Sequence, residues 1–197
     1  VLTYPEYRDL AWNAPVGDLA QDVRHRVRLW ATWEMTFLPR ELGRFTLSPL
    51  FSLDTGPPFG VSGPVLVDPY VTNPGYVTPP WSVTYWFTGR DAFRMPTVTS
   101  LDLALDWRLA VGPVELFVQP QVLNVLNRDA VVTSDPRYVD LGVLTAATSG
   151  DLQPFDPFTE KPVEGVHYAR SPTFGEALGP AAYQQPRTFR ISLGVRF

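Results

Sequence analysis

Residues 25–37, HRVRLWATWEMTF, alternate with a period of two. Val27, Leu29, Ala31, Trp33, Met35 and Phe37 share one parity. Arg26, Arg28, Thr32, Glu34 and Thr36 share the other, with Trp30 as the exception. A helix would scatter these charges around its circumference, whereas a strand sets them on one face. The run 44–55 repeats the pattern: Phe45, Leu47, Phe51 and Leu53 oppose Thr46, Ser48, Ser52 and Asp54. In 99–111, Leu101, Leu103, Leu105, Trp107, Leu109 and Val111 oppose Ser100, Asp102, Ala104, Asp106 and Arg108. A fourth run, 114–127, alternates less cleanly; Gln119 and Gln121 share a face, but Pro120 and an apolar ending leave its orientation open. The last, PRTFRISLGVRF, sets Phe189, Ile191, Leu193, Val195 and Phe197 against Thr188, Arg190, Ser192, Gly194 and Arg196.

The pattern therefore predicts an all-β, antiparallel chain with about five long strands of about 11 to 13 residues, longer than is usual in soluble sheets. Proline and glycine crowd residues 56–80 and 154–180, between the runs. Connections alternate between short (38–43, 112–113) and long (56–98, 128–186). Two architectures fit. A secreted β-sandwich would bury the apolar face under a second sheet. A transmembrane β-barrel segment would turn that face to lipid and the charged face to a wet lumen, with short periplasmic turns and long extracellular loops. The unbroken apolar series, the bare charges of both signs on the opposite face and the alternating connection lengths all favour the barrel.

Composition narrows the function. Charged residues are only 18% of the 197 and the net charge is −4, which gives nucleic-acid binding little electrostatic support. There is no cysteine, hence no disulfide and no thiolate chemistry. No apolar run is long enough for a spanning helix, and the first residues do not read as a signal peptide. The triplet Asp54-Thr55-Gly56 matches that of aspartic proteases. A protease needs a second copy facing the first, and none is present; two prolines follow where the protease loop needs amides. Asp54 is expected to end a strand at its rim. His25 and His167 have no ligand-type neighbours at metal spacing, so neither a metal nor another cofactor is expected, and no catalytic residues can be named. Tyr70, Tyr76, Trp81, Tyr85, Trp86 and Phe87 form an aromatic-rich stretch that either stacks on a sugar or an aromatic siderophore or serves as girdle and loop packing.

The segments HRVRLWATWEMTFLPRELGRFTLSPLFSLDTGPPF, DLALDWRLAVGPVELFVQPQVLNVLNR and PRTFRISLGVRF together resemble barrel hairpins and the last strand of TonB-dependent outer-membrane receptors, closest in style to the Oar-like ones. Asn124-Val125-Leu126-Asn127 stands where that family often has Asn-Val-Phe-Asn, and Phe197 resembles its aromatic last residue. The resemblance implies that residues 1–197 are the C-terminal part of the barrel of a longer chain. The plug domain and TonB-contacting segment would lie upstream, outside this sequence. It implies a bacterial outer-membrane protein importing an unidentified small molecule, peptide or glycan, with outer-membrane lipid and TonB as partners and no enzymatic or nucleic-acid role. The substrate-facing residues expected on this reading are Tyr76, Trp81, Tyr85 and Trp86 in a loop, with Asp106, Arg108 and Arg190 on the lumen wall. Asp102, Asp106, Arg108, Arg190 and Arg196 are further expected to form one ion-pair network.

Overall fold

The computed structural model describes residues 12–71 and 80–197. The described chain is all-β and antiparallel, with no α-helix. It divides into two units, each assembled from three separate segments.

The first of these, the sheet unit, comprises Val23–Gly56, Pro96–Val132 and Tyr183–Phe197. It holds β1 (Arg26–Trp30), β2 (Trp33–Glu34), β3 (Arg44–Asp54), β8 (Val98–Val111), β9 (Val114–Leu123) and β12 (Thr188–Arg196). They form one sheet in the order β1-β3-β8-β9-β12, with β2 continuing β1 along β3. Register keeps the two parities apart across the sheet. Leu29 pairs with Phe51 and Phe51 with Leu101. Leu103 pairs with Val122 and Val122 with Phe189. On the other face Ala104 pairs with Gln121 and Gln121 with Arg190. Side chains paired across strands share a face, so one face is apolar from β1 to β12 and the other is polar. This register also settles the fourth run: Gln119 and Gln121 lie on the polar face, opposite Ser192 and Arg190.

Local chemistry explains where the strands break. The gap between β1 and β2 falls opposite Pro49, which accepts from the Ala31 amide but has no N–H to return. The β8–β9 hairpin closes through Gly112 and Pro113; Gly112 takes φ 62°, the positive first position of a II′ turn. The β2–β3 turn ends at Gly43, φ 95°, where a Cβ would come within 2.4 Å of the Arg108 carbonyl. β9 ends at Leu123, not at Asn127 as the sequence pattern predicts. Asn124 and Asn127 both take left-handed backbone (φ 50° and 49°), and an asparagine tolerates that conformation because its amide bonds the local backbone.

The other unit comprises Val1–Asp22, Pro57–Met95 and Thr133–Ala182. These segments include most of what the sequence presents as long loops, yet they carry three small antiparallel strand pairs. β4 (Pro58–Phe59) pairs with β7 (Phe93–Arg94), β5 (Ser62–Leu66) with β6 (Ser82–Trp86), and β10 (Val143–Thr145) with β11 (Tyr168–Arg170). Trp12, Val65, Val67, Val83, Tyr85 and Phe155 form its core.

Burial is divided sharply. Every buried apolar side chain among the described residues belongs to the loop-built unit. The sheet unit buries one side chain, Asn124, at 4% exposure. On β12, Phe189, Ile191, Leu193 and Val195 are 73, 66, 69 and 56% exposed. The apolar face is exposed along β12 and partly exposed along β3, β8 and β9, and none of its side chains is buried.

Candidate functional site

The polar face of the sheet carries its charges in separate pairs. Asp54, the last residue of β3, is held by Arg28 at 2.6 Å and Arg26 at 3.1 Å. Its neighbour Thr55 closes the same end of the β1–β3 pair by donating its amide to the His25 carbonyl. The Asp-Thr-Gly triplet is thus an ion-paired strand end. Arg44 and Arg108 face each other across β3 and β8, and each has its own carboxylate: Glu34 at 3.5 Å for Arg44 and Asp106 at 2.6 Å for Arg108. Arg196 pairs with Glu115 at 3.5 Å. Asp102 accepts from Ser100 Oγ and from the Asn124 amide instead of from an arginine. The single network expected from the sequence is therefore a set of local pairs. A strand fixes which residues are two apart or opposite, and those neighbours are what the charges find.

The expected substrate residues are not gathered at one place. Tyr76 lies outside the described residues. Trp81 is 61% exposed. Tyr85 is 7% exposed and packed in the core, stacked on Trp12 at 5.2 Å between ring centroids and edge-on to Phe155 at 5.4 Å. Phe87 packs against the same ring at 5.1 Å, so Tyr85 serves the core of this unit. Strand alternation turns Trp86 to the opposite side of β6, half-buried, with the Arg90 guanidinium 6.0 Å from its ring. These aromatics belong to the loop-built unit, whereas Asp106, Arg108 and Arg190 belong to the sheet unit. Asp106 and Arg108 neutralise each other. Arg190 stands on β12 beside Gln121, with no side-chain partner among the described residues.

Several groups escaped the sequence reading. At the short-turn end of the apolar face, Trp33 meets Phe37 at 5.9 Å and Phe45 meets Trp107 at 6.4 Å. The Trp107 indole N–H donates to the Leu42 carbonyl at 2.7 Å. The parity of Trp33, Phe45 and Trp107 was legible; their convergence at one end needed the register. On the polar face, a depression of about 410 Å³ near the same end is lined by Glu34, Arg40, Glu41, Arg44, Arg108 and Glu115, among others. At the opposite end Asn124 ties four points together. Its amide N–H donates to Asp102, its side-chain nitrogen to the Arg128 and Gln185 carbonyls, and its side-chain oxygen accepts from the Arg128 amide.

In the loop-built unit, Arg94 bridges Asp18 at 2.6 Å and Asp22 at 2.9 Å. Asp140 accepts from Ser171 Oγ, Thr173 Oγ1 and the Gly142 amide, and these donors hold its carboxyl below the ordinary carboxylate range. The Arg137 guanidinium and amide lower Asp135 to about 2. His167 Nδ1 accepts from the Val163 amide. Among the described residues no three His, Cys, Asp or Glu side chains converge on a metal-sized site. Comparison of the chain with protein-family models, with curated proteins and with solved structures finds no match.

Proposed function

We propose that this chain is a stretch of transmembrane β-barrel wall from a TonB-dependent outer-membrane receptor that imports a solute. One observation carries the membrane part of this reading. The long-stranded sheet has a continuous apolar face on which no side chain is buried and a charged opposite face, while the apolar core lies wholly in the other unit. The dimensions agree. From Leu101 to Val111 strand β8 rises about 33 Å at about 3.3 Å per residue, and a tilt of about 40° reduces that to about 25 Å, the height of an outer-membrane apolar band. The Trp33, Phe37, Phe45 and Trp107 cluster sits where an interfacial girdle would. A secreted sandwich would need a second sheet over side chains that are more than half exposed on β12. With β1 and β12 at the ends of the sheet, further strands must complete the wall, because an unpaired edge in lipid costs several kcal/mol per stranded group.

The receptor part rests on the hairpin resemblance, on the alternation of short and long connections, and on a substantial folded unit built largely from the long ones. Solute capture outside and passage along a wet wall fit that division. The test is fractionation of the natural protein that carries this segment. It is expected in the outer membrane as a species whose gel migration changes on heating, with solute uptake abolished by loss of TonB. Recovery as a soluble secreted protein would overturn the reading.

A further inference from the structure

At the long-connection end of the sheet unit, Pro96, Thr97, Thr99, Arg128, Asp129 and Tyr183 border a groove of about 590 Å³, within the range of small-molecule sites. Its walls are fixed. Val131 bridges Tyr183, the Gln184 amide donates to the Ala130 carbonyl, and the Gln184 side chain donates to the Thr99 carbonyl at 3.1 Å. Asn124, buried below, holds both the Arg128 amide and its carbonyl. The rigid backbone presents two consecutive, opposite charges that do not neutralise each other. Neither the Arg128 guanidinium nor the Asp129 carboxylate has a partner among the described residues, and both residues are exposed. Several other carboxylates of this sheet unit are ion-paired, as at Asp54, Asp106 and Glu115. Tyr183, 43% exposed, adds a ring to the same groove.

We infer that this groove binds a small zwitterion, a free amino acid or dipeptide with an apolar side chain. Arg128 and Asp129 line the same groove, so one small molecule can offer a carboxylate to the first and an ammonium to the second. The guanidinium offers a planar fork to a carboxylate, Asp129 accepts from an ammonium, and Tyr183 with Pro96 covers the side chain. The ligand's role as transported solute rests on the receptor reading; the groove itself does not.

The experiment measures calorimetric binding of the dipeptide Ala-Phe, its N-acetyl form and its C-terminal amide to the purified natural protein in detergent. Ala-Phe is expected to saturate, and each blocked form to bind at least tenfold more weakly. Arg128→Gln should abolish the discrimination against the amide, and Asp129→Asn that against the acetyl form. Both side chains are exposed and unpaired, so these variants should fold, with unchanged near-ultraviolet circular dichroism as the control. Absence of saturation up to about ten millimolar, or discrimination unchanged in both variants, overturns the proposal. Heat-dependent gel migration of the same samples reports separately on the receptor reading. A heat-modifiable protein that ignores Ala-Phe sinks the groove alone, whereas saturable binding by a protein that does not enter membranes sinks the receptor reading and keeps the groove.

Discussion

Single residues decide where this chain turns and where its charges rest. Gly43 is the clearest case: its φ of 95° and the Arg108 carbonyl 2.4 Å from any Cβ leave no room for a side chain. Gly43→Ala should cost about 1–3 kcal/mol, read as a lowered urea midpoint of the folded protein in micelles. A midpoint unchanged from wild type would contradict the tight β2–β3 turn. Asp140 gathers two hydroxyls and one amide, and Asp135 is held near 2 by Arg137. Both carboxyls lie lower folded than unfolded, so the stability they contribute is complete above their ordinary value of 3.8 and is lost as pH falls below it. The urea midpoint should therefore fall between about pH 4 and pH 2, and Asp140→Asn should both lower the plateau by about 1 kcal/mol and flatten the fall. Parallel pH profiles for wild type and variant would refute the assignment. Neither glycine strain nor the Asp140 cluster is legible in sequence, because each depends on a residue more than thirty positions away.

At the scale of elements, the sheet was legible and its connections were not. Alternation survives in β3, β8 and β12 because one face must be uniformly apolar, and a slip of one residue would invert every side chain. It blurs in β9, where Pro120 interrupts a strand whose orientation only pairing with β12 fixes. The strand pairs in 57–95 and 133–182 are two to five residues per strand, too short for a period to show, and their core residues are spread over three segments. That is also why the place of Tyr85 in the core is not legible: an aromatic among prolines and glycines reads as a loop, whereas Trp12, far away in sequence, stacks on it. Two element predictions follow from register. Leu103 lies between Pro49 and Val122 on the apolar face, and Ala104 between Ser48 and Gln121 on the polar one. Leu103→Arg in the intact protein should cost about 2–4 kcal/mol near the bilayer midplane, and Ala104→Arg much less. Equal costs in a denaturant titration would mean that the faces are misassigned. On the polar face the Phe117 ring occupies the space over Gly194, 2.3 Å from where a Cβ would sit. Gly194→Ala must displace that ring, at about 1–3 kcal/mol, while Phe117→Leu combined with Gly194→Ala should recover part of the loss. Loss equal in the single and double variants would show that the ring is not the cause.

For the whole molecule the central claim is that the apolar face meets lipid acyl chains and the opposite face meets water. The physical basis is an imbalance of burial: among the described residues the sheet unit buries one polar side chain and no apolar one, and on β12 the apolar side chains are more than half exposed. These 197 residues contain no cysteine, so a thiol introduced here has no competitor within them. The most direct measurement places single cysteines along β12, from Arg190 to Val195, in the intact protein reconstituted into bilayers. Each site is then assayed twice, by reaction with a membrane-impermeant maleimide and, after attachment of a fluorophore, by quenching from brominated acyl chains. The account predicts strict alternation. Positions 191, 193 and 195 are quenched by the brominated chains and slow to react with aqueous maleimide, and positions 190, 192 and 194 show the reverse. Uniform reaction with the aqueous reagent on both parities, with no quenching by lipid, would contradict it.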